Sequence, residues 1–369
     1  MRELRIAYLA HALRSDWNNG NAHFLRGLMR AMTSLGHYVT VWEPEHAWSI
    51  ENLRTEPLGE YSIAKFNHTY PDLNVKGYAL EDSREQWCER LREMQIVILH
   101  EWNSPAMAQL LLELRKDCGF RLLFHDTHHR ASSSPEQIRQ FGLDRFDGIL
   151  AFGEALRNIY RENFDISRVW VLHEAADTTV FYPQSNIAKD IDAVWIGNWG
   201  DGERSQEICE FFLRPAAALA DPTQFVIYGV RYPQDGLRAL EQAQVHYGGY
   251  LPNLEAPAVY AKARLTVHIP RQQYTSAMTG IPTIRVFEAL ACGIPLISAP
   301  WRDAEGLFRP DDLLFVSNTS EMISAMRRLL DHPGEATALA ERGLETVLAR
   351  HTCNHRGQEL TKICEELLS

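Results

Sequence analysis

Short apolar segments alternate with amphipathic ones along the chain. Residues 4–9 form the first apolar segment, and over residues 21–35 apolar side chains recur every three or four positions. Gly36 ends this stretch, and residues 38–42 form the next apolar segment. These periods predict a strand, an amphipathic helix and a second strand. The first part of the sequence is therefore expected to form a βαβ unit with a long first loop.

The same alternation continues through the rest of the sequence. Further apolar segments lie at 95–100, 121–124, 148–152, 169–172, 193–196, 225–228, 246–247, 265–269, 295–298 and 314–316. Amphipathic stretches separate these segments, and two helical patterns cover residues 333–350 and 354–368. Repeated βα units predict parallel sheets that are covered by helices on both faces.

A change of pattern near residues 176–190 divides this series into two. The stretch 184–190 is polar, as expected of a linker. Because 369 residues exceed one ordinary hydrophobic core, two domains are expected. The sequence thus predicts an α/β protein with two Rossmann-like, doubly wound parallel-sheet domains, residues 1–180 and 190–350, facing a central cleft. Ligands bind such sheets at the carboxyl ends of the strands.

Composition and charge exclude several classes of protein. The chain is 45% hydrophobic and 23% charged, as in soluble globular proteins. No apolar run reaches the roughly 18 residues of a membrane span, and the N-terminal segment fits a strand better than a signal peptide, so we expect a cytosolic protein. A net charge of −11 argues against nucleic-acid binding, and no basic run beside an apolar stripe favours membrane association. Six scattered cysteines predict reduced structural thiols.

Two loops of the first domain contain candidate functional residues. Asn19 and Gly20 lie just before the first helix, where backbone amides and a glycine allow a ligand to approach closely. A plain Asn-Gly turn is the alternative. His125 and Asp126 follow a predicted strand, so we expect them at the ligand-binding edge, where the imidazole could donate to a hydroxyl and the carboxylate could orient it. A metal site or a structural role are the alternatives for this histidine-rich stretch.

Two glycine-containing loops of the second domain are further candidates. The turn 197–202 follows a buried strand and leads to Arg204 at a helix start, an arrangement that suits phosphates. A solvent-facing Arg204 is the alternative. Two glycines that follow the 246–247 strand lead to Tyr250 and Leu251, which could line the pocket of a flat base. Turn formation alone would also explain these glycines.

The most informative segment is 281–298, which predicts a short helix followed by a buried strand. If the helix starts near Thr283, that residue can cap it, and the amides of residues 284–286 are free to bind phosphate. Arg285 and Glu288 share a helix face, so Arg285 could meet a phosphate while Glu288 accepts hydrogen bonds from hydroxyls. We disfavour a plain surface ion pair because so apolar a helix would bury Glu288.

With these residues the sequence resembles the GT-B glycosyltransferases, specifically the retaining family-four-type enzymes and their spore-maturation (CgeB-like) branch. The stretch Phe287-Glu-Ala-Leu-Ala-Cys-Gly-Ile-Pro-Leu-Ile is similar to a block in the second domain of that family. Residues 176–183 are similar to its Asp-Thr-x-x-Phe-x-Pro connector, and the pair His125 and Asp126 resembles its cleft histidine. The resemblance covers nearly the whole chain. It implies a GT-B fold in which residues 351–369 cross back to the first domain.

The resemblance also implies an activity, namely transfer of a sugar from a nucleoside-diphosphate sugar to a hydroxyl acceptor, with retention and without a metal or other cofactor. The second domain would bind the donor and the first would lie on the acceptor side, with Glu288 holding the donor ribose. The predicted catalytic residues are His125 and Asp126, and the predicted donor-binding residues are Asn19, Gly20, Asn198, Arg204, Tyr250, Leu251, Thr283, Ile284, Arg285 and Glu288. The acceptor stays open between a glycan, a protein and a small molecule.

Two departures from the family pattern limit what the resemblance implies. The family has a Glu where Gly280 stands, and that carboxylate usually contacts the transferred sugar, so the sugar stays open. Asn198 stands where Arg is common, which leaves Arg204 as the best cationic candidate. A nucleotide-sugar epimerase of the same fold and a catalytically degenerate nucleotide-sugar-binding protein are the alternative functions.

Overall fold

A computed structural model describes residues 3–200, 202–219 and 224–369 of the chain. The chain forms two compact units. Unit 1 comprises Met1–Glu174 together with Cys353–Ser369, and unit 2 comprises Ala175–Thr352. The passage from unit 1 to unit 2 therefore lies ahead of the polar stretch 184–190.

Unit 1 is built on a parallel sheet with seven strands among its described residues. The strands are β1 (Arg5–Leu9), β2 (Tyr38–Pro44), β3 (Asn74–Tyr78), β4 (Ile96–His100), β5 (Arg121–Asp126), β6 (Gly148–Ala151) and β7 (Val169–Val171). Their order is β3-β2-β1-β4-β5-β6-β7, so the direction of winding reverses between β1 and β4. The sequence did not predict β3, because this edge strand is mostly polar and only its last residue is buried.

Helices cover this sheet. They are α1 (Ala22–Ser34), α2 (Trp48–Thr55), α3 (Gly59–Thr69), α4 (Arg84–Leu91), α5 (Pro105–Cys118), α6 (Arg130–Ser133), α7 (Pro135–Arg139) and α8 (Glu154–Asn163). The helix α1 buries the apolar face that the sequence pattern predicts, including Phe24, Leu25 and Leu28. The helices α2 and α3 were not predicted, since their polar residues outnumber the few apolar side chains that they bury.

Unit 2 is built on a second parallel sheet, with six strands among its described residues. The strands are β8 (Ile191–Ile196), β9 (Phe225–Tyr228), β10 (His246–Tyr247), β11 (Ala263–His268), β12 (Leu296–Ser298) and β13 (Leu314–Phe315). Their order is β10-β9-β8-β11-β12-β13, so the winding reverses between β8 and β11. The predicted pair of doubly wound parallel-sheet domains is confirmed.

The helices of unit 2 are α9 (Ser205–Ile208), α10 (Arg214–Leu219), α11 (Gln234–Gln242), α12 (Ala256–Lys262), α13 (Gln272–Thr275), α14 (Ile284–Ala291), α15 (Thr319–Asp331) and α16 (Pro333–Arg350). A π-helical turn, Cys209–Leu213, joins α9 to α10. No helix in the described part of the chain is both long enough and apolar enough to cross a membrane.

The helix α17 (Cys353–Leu368) belongs to unit 1, although it follows all of unit 2 in the sequence. It packs closely against α1, because a Cβ atom added at Gly357 would lie only 3.0 Å from the Ala31 side chain. The Thr361 hydroxyl forms a hydrogen bond of 2.9 Å with the His37 ring. Within unit 2, Ala176 and Thr352 pair in an isolated parallel bridge, so the two ends of this unit lie side by side.

Candidate functional site

Each sheet offers a ligand-binding position where its strand order reverses. In doubly wound sheets ligands bind outside the carboxyl ends of the two strands that flank this point. In unit 2 these are the ends of β8 and β11, and in unit 1 they are the ends of β1 and β4. Most of the predicted site residues lie in loops that follow these or neighbouring strands.

In unit 2, Arg204 is a buried cation at the end of the β8 loop. Its side chain is 9% exposed, its Nε donates to the Asn198 carbonyl at 3.1 Å, and its guanidinium lies 5.1 Å from the centre of the Trp195 ring. Burial first, and then the nearby Arg271 and Arg285, lower the pKa of Arg204 to about 9. The solvent-facing alternative for Arg204 is therefore wrong.

Three guanidinium groups come together at this edge, and we call Arg204, Arg271 and Arg285 the arginine cluster. Arg271 pairs with Glu203, and Arg285 pairs with Glu288. Arg204 has no ion-pair partner within the described part of the chain. Because Arg204 keeps a positive charge where water is scarce, this position favours an anion. Arg271 was not among the predicted site residues. The sequence feature that could have identified it is its position as a basic residue shortly after a predicted strand.

His268, the last residue of β11, lies beside this cluster. Its Nδ1 forms a hydrogen bond of 2.9 Å with the Ser298 hydroxyl. Burial, reinforced by Arg204, lowers the pKa of His268 to about 3, so the ring is neutral at physiological pH. It therefore adds a polar group at this edge without a further positive charge.

Glu288 is completely buried on α14, as the sequence predicts. One carboxylate oxygen accepts a hydrogen bond from Asn253 Nδ2 at 3.0 Å, and the other pairs with Arg285. The ion pair that the sequence disfavours is thus present, but its acidic partner lies in the core and not on the surface. Two fixed donors balance the cost of burying this charge.

The start of α14 differs in detail from the prediction. The helix begins at Ile284 with Thr283 as its N-cap residue, but the Thr283 side chain forms no capping hydrogen bond. The Thr283 carbonyl accepts a hydrogen bond from the Val286 N–H at 3.0 Å instead. The prediction that the Thr283 hydroxyl caps the helix and that the 286 amide is free is therefore wrong, because a tight backbone turn satisfies that donor.

The β8 loop has a fixed shape that holds Arg204. Asn198 accepts a hydrogen bond from the Val230 N–H through its side-chain oxygen, at 2.9 Å. Gly200 has a φ of +92°, and a Cβ atom there would lie 2.7 Å from the Arg204 Cγ atom. In the structure Asn198 thus ties together the loops after β8 and β9, and a glycine is required where the Arg204 side chain passes.

Tyr250 and Leu251 are half-buried and follow two glycines, as predicted. The Gly249 carbonyl accepts a hydrogen bond from the Gly229 N–H at 2.9 Å, and a Cβ atom at Gly248 would overlap the Tyr228 ring. Packing explains Gly248, and a φ of +69° explains Gly249. The assignment of Tyr250 and Leu251 to a base pocket stays a prediction.

The backbone explains the missing carboxylate at Gly280. This residue has a φ of +102°, a conformation that only glycine adopts without strain. A glutamate with the same backbone would be strained, and its Cβ atom would press against Ala304 at 3.1 Å. The departure from the family pattern is therefore a change of loop conformation as well as of side chain.

In unit 1, Asn19 belongs to a rigid loop between β1 and α1. Its N–H donates to the Asp16 carbonyl and its side-chain nitrogen to the Ala12 carbonyl, both at 3.0 Å. The buried Arg26 of α1 donates to the Leu13 carbonyl at 2.8 Å. The hydrogen-bond donors of Asn19 are therefore used by the loop itself. Gly20 is half-buried directly after it.

His125 and Asp126 are both completely buried, which corrects the expectation that they lie exposed at the sheet edge. The reason is that β5 extends through Asp126 and does not end at residue 124. The Tyr8 hydroxyl and His125 Nδ1 are 2.7 Å apart, and Asp126 accepts hydrogen bonds from the Tyr160 hydroxyl and the His128 N–H. These side chains therefore support the loop after β5 from inside the protein. His128, in that loop, is half-buried.

Burial shifts the pKa values of both His125 and Asp126. It lowers the pKa of His125 to about 3 and raises the pKa of Asp126 to about 6. At neutral pH His125 is thus uncharged.

We expect acid to destabilise the protein partly through His125. Below pH 6.5 the unfolded chain binds a proton that the folded protein excludes until about pH 3, so stability is lost as the pH falls through this window, by up to about 1.4 kcal/mol per unit. Thermal midpoints between pH 7 and pH 4.5 should fall less in His125→Phe than in the wild type. The exposed His68→Phe is the control, and equal pH dependence of His125→Phe and wild type would contradict the prediction.

Two observations concern metal ions and thiols. Within the described ranges, no group of three or more His, Cys, Asp or Glu side chains is arranged to hold a metal ion. The six cysteines are free thiols, as the sequence predicts.

Comparisons with known proteins show what these features are similar to. Residues 204–362 match a family model described as glycosyl transferase-like. This range of the chain contains Arg204, Arg271, Arg285 and Glu288. No curated protein sequence matches the chain. Over their whole lengths, solved GT-B structures have the same fold. The chain therefore has the GT-B fold and a glycosyl transferase-like domain.

Three of the similar structures illustrate the match. A glycosyltransferase from Rickettsia africae has 12% identity and a TM-score of 0.69, with 100% of both chains covered. HepE from Anabaena, in complex with UDP and glucose, has 11% identity and a TM-score of 0.71, covering 98% of this chain and 100% of its own. Sucrose-phosphate synthase from Thermosynechococcus elongatus has 15% identity and a TM-score of 0.65, covering 100% and 99%.

These matches confirm the predicted resemblance to GT-B glycosyltransferases at the level of the fold and of this domain. The finer assignment to the family-four-type or CgeB-like branch stays a prediction, as do the roles of the individual site residues.

Proposed function

We propose that the protein transfers a hexosyl group from a UDP-sugar to a hydroxyl acceptor. The arginine cluster carries this proposal, because three cations meet where the strand order of unit 2 reverses and one of them, Arg204, is buried without an ion-pair partner among the described residues. A diphosphate is an anion whose oxygens accept charge-assisted hydrogen bonds from guanidinium groups. The choice of uridine rests on the similarity to HepE, whose structures contain UDP and UDP-glucose.

In this proposal the cluster acts on the leaving group. As the bond between the sugar and the diphosphate breaks, negative charge grows on the diphosphate oxygens. Fixed guanidinium groups stabilise that charge most where water is scarce, and such preorganised electrostatic stabilisation usually accounts for more of the rate enhancement than any other effect. Arg204 would act directly, while Glu288 and Glu203 keep their paired guanidinium groups in place.

The remaining assignments are proposals that follow from the resemblance. Glu288 would also accept a hydrogen bond from the donor ribose, although its complete burial supports the orienting role more directly. Transfer with retention and independence of metal ions have the same standing. The cytosolic location expected from the sequence pattern is a proposal as well. Asp126 and His125 would act as positioning residues behind the loop after β5, since neither reaches the surface.

Thermal shift with nucleotides tests the donor site. We expect UDP to raise the thermal midpoint of the protein by more than ADP, GDP or dTDP, because a ligand that binds only the folded state stabilises it. No shift with any nucleoside diphosphate would overturn the proposal.

Product analysis then tests the reaction. Release of UDP from UDP-glucose, with glucose found on water or on an acceptor, is the expected result. An isomerised UDP-sugar without UDP release would indicate an epimerase, and UDP binding without turnover on any acceptor would indicate a binding protein.

A further inference from the structure

An exposed tryptophan lies where the strand order of unit 1 reverses. Trp102 follows β4 by two residues, and its side chain is 43% exposed. The loop that carries it is fixed to the sheet, because the N–H of the preceding Glu101 donates to the His125 carbonyl at 3.0 Å. A large aromatic ring on a fixed loop therefore lies at the edge where ligands bind such sheets.

Three side chains surround the Trp102 ring. The Arg130 guanidinium lies over it at 4.0 Å from the ring centre, His128 contacts it edge-on at 5.0 Å, and His11 lies 6.3 Å away. We call these four residues the Trp102 cluster. They come from the loops after β1, β4 and β5 and from the first residue of α6, so the topology of the sheet brings them together.

Buried carboxylates hold the cluster in shape. Glu101 is completely buried and pairs with Arg130, the residue that covers the Trp102 ring. Asp126 is completely buried and accepts a hydrogen bond from the His128 N–H at 2.9 Å. Buried carboxylates therefore hold Arg130 and His128 in place beside Trp102. This lowers the entropy cost of binding a ligand against the ring.

The chemistry of the cluster suits a particular kind of ligand. Burial, reinforced by Arg130, lowers the pKa of His11 to about 4, so this ring is neutral at physiological pH. The Glu101 carboxylate is neutralised by Arg130 and has no exposed surface. The cluster thus presents a flat apolar ring bordered by imidazole and guanidinium groups. A sugar ring has the matching features, since one face carries C–H groups and the edges carry hydroxyls.

We propose that the Trp102 cluster binds a sugar ring of the acceptor, so that the acceptor of this protein is a carbohydrate. This inference rests on the proposed function, because it names the acceptor of the same reaction. The binding itself depends only on residues of unit 1. The sugar stacks on Trp102, and its hydroxyls form hydrogen bonds with His128, His11 and Arg130.

Saturation-transfer difference NMR tests the proposal, using the methyl glycosides of glucose, galactose, mannose and N-acetylglucosamine as probes. We expect at least one glycoside to receive saturation from the wild-type protein, mainly on the protons of one ring face. The signal should fall to background in Trp102→Ala and be partly kept in Trp102→Phe. It should be unchanged in Trp48→Ala, which removes another exposed tryptophan, 58% exposed on α2.

The outcomes separate this inference from the proposed function. No saturation of any glycoside, or a signal that survives in Trp102→Ala, would overturn it. The thermal shift with UDP serves as the second readout, because it reports donor binding and also shows that Trp102→Ala is folded. A UDP shift without Trp102-dependent glycoside binding leaves the proposed function standing and removes the inference. The reverse result removes the proposed function, and with it the acceptor role, but leaves sugar binding at the Trp102 cluster.

Discussion

Replacing Arg204 by Ala is expected to lower kcat for UDP release from UDP-glucose by about 100- to 1,000-fold, the loss that follows removal of one preorganised charge-stabilising group. The physical reason is that Arg204 is the buried cation of the arginine cluster whose charge is not already paired within the described chain. Steady-state kinetics at saturating UDP-glucose would measure the effect.

Two further variants make this result specific. Arg204→Lys keeps the positive charge but loses the planar fork that holds two phosphate oxygens, so an intermediate rate is expected. Arg238→Ala removes an exposed arginine of α11 and should leave kcat unchanged. A rate for Arg204→Ala close to that of the wild type would show that the leaving group is stabilised elsewhere.

Replacing Glu288 by Ala is expected to destabilise the protein by about 3–5 kcal/mol, the usual cost of removing one partner of a buried ion pair. The variant leaves both Arg285 and the Asn253 amide without their acceptor in the core. For a unit of this size the loss corresponds to a fall of roughly 6–20 °C in the thermal midpoint. Differential scanning calorimetry would measure it.

The controls for Glu288 address charge and position. Glu288→Gln keeps an acceptor for Asn253 but not the charge that pairs with Arg285, so a smaller loss is expected. Glu341→Ala removes an exposed glutamate of α16 and should have almost no effect. A midpoint for Glu288→Ala within about 2 °C of the wild type, less than about 1 kcal/mol, would contradict the contacts described for this carboxylate.

The alternation of apolar and amphipathic segments was enough to predict the fold, since buried parallel strands such as β4 and β9 are nearly continuous apolar runs. It failed at β3, where an edge strand has only one buried residue. It also failed over α2 and α3, which bury too few apolar side chains for a clear helical period.

For the site, the sequence predicts where a residue lies in the fold better than it predicts how deeply that residue is buried. Arg204 and Glu288 were identified because each lies at a fixed distance from a strand or a helix start. The burial of His125 and Asp126 was missed because a strand that ends two residues later moves both side chains into the sheet. Trp102 and Arg271 were missed because single residues after a strand carry no periodic signal.

The placement of α17 has a consequence for synthesis on the ribosome. This helix packs against α1, from which more than 300 residues separate it along the chain. While the polypeptide emerges, every segment of unit 2 leaves the ribosome before the partner of α1 does. Unit 2 is thus able to fold early, whereas unit 1 keeps one face of α1 uncovered until translation has passed residue 353. Chaperones that recognise nascent apolar surfaces would accordingly be expected to dwell on the first unit and not on the second.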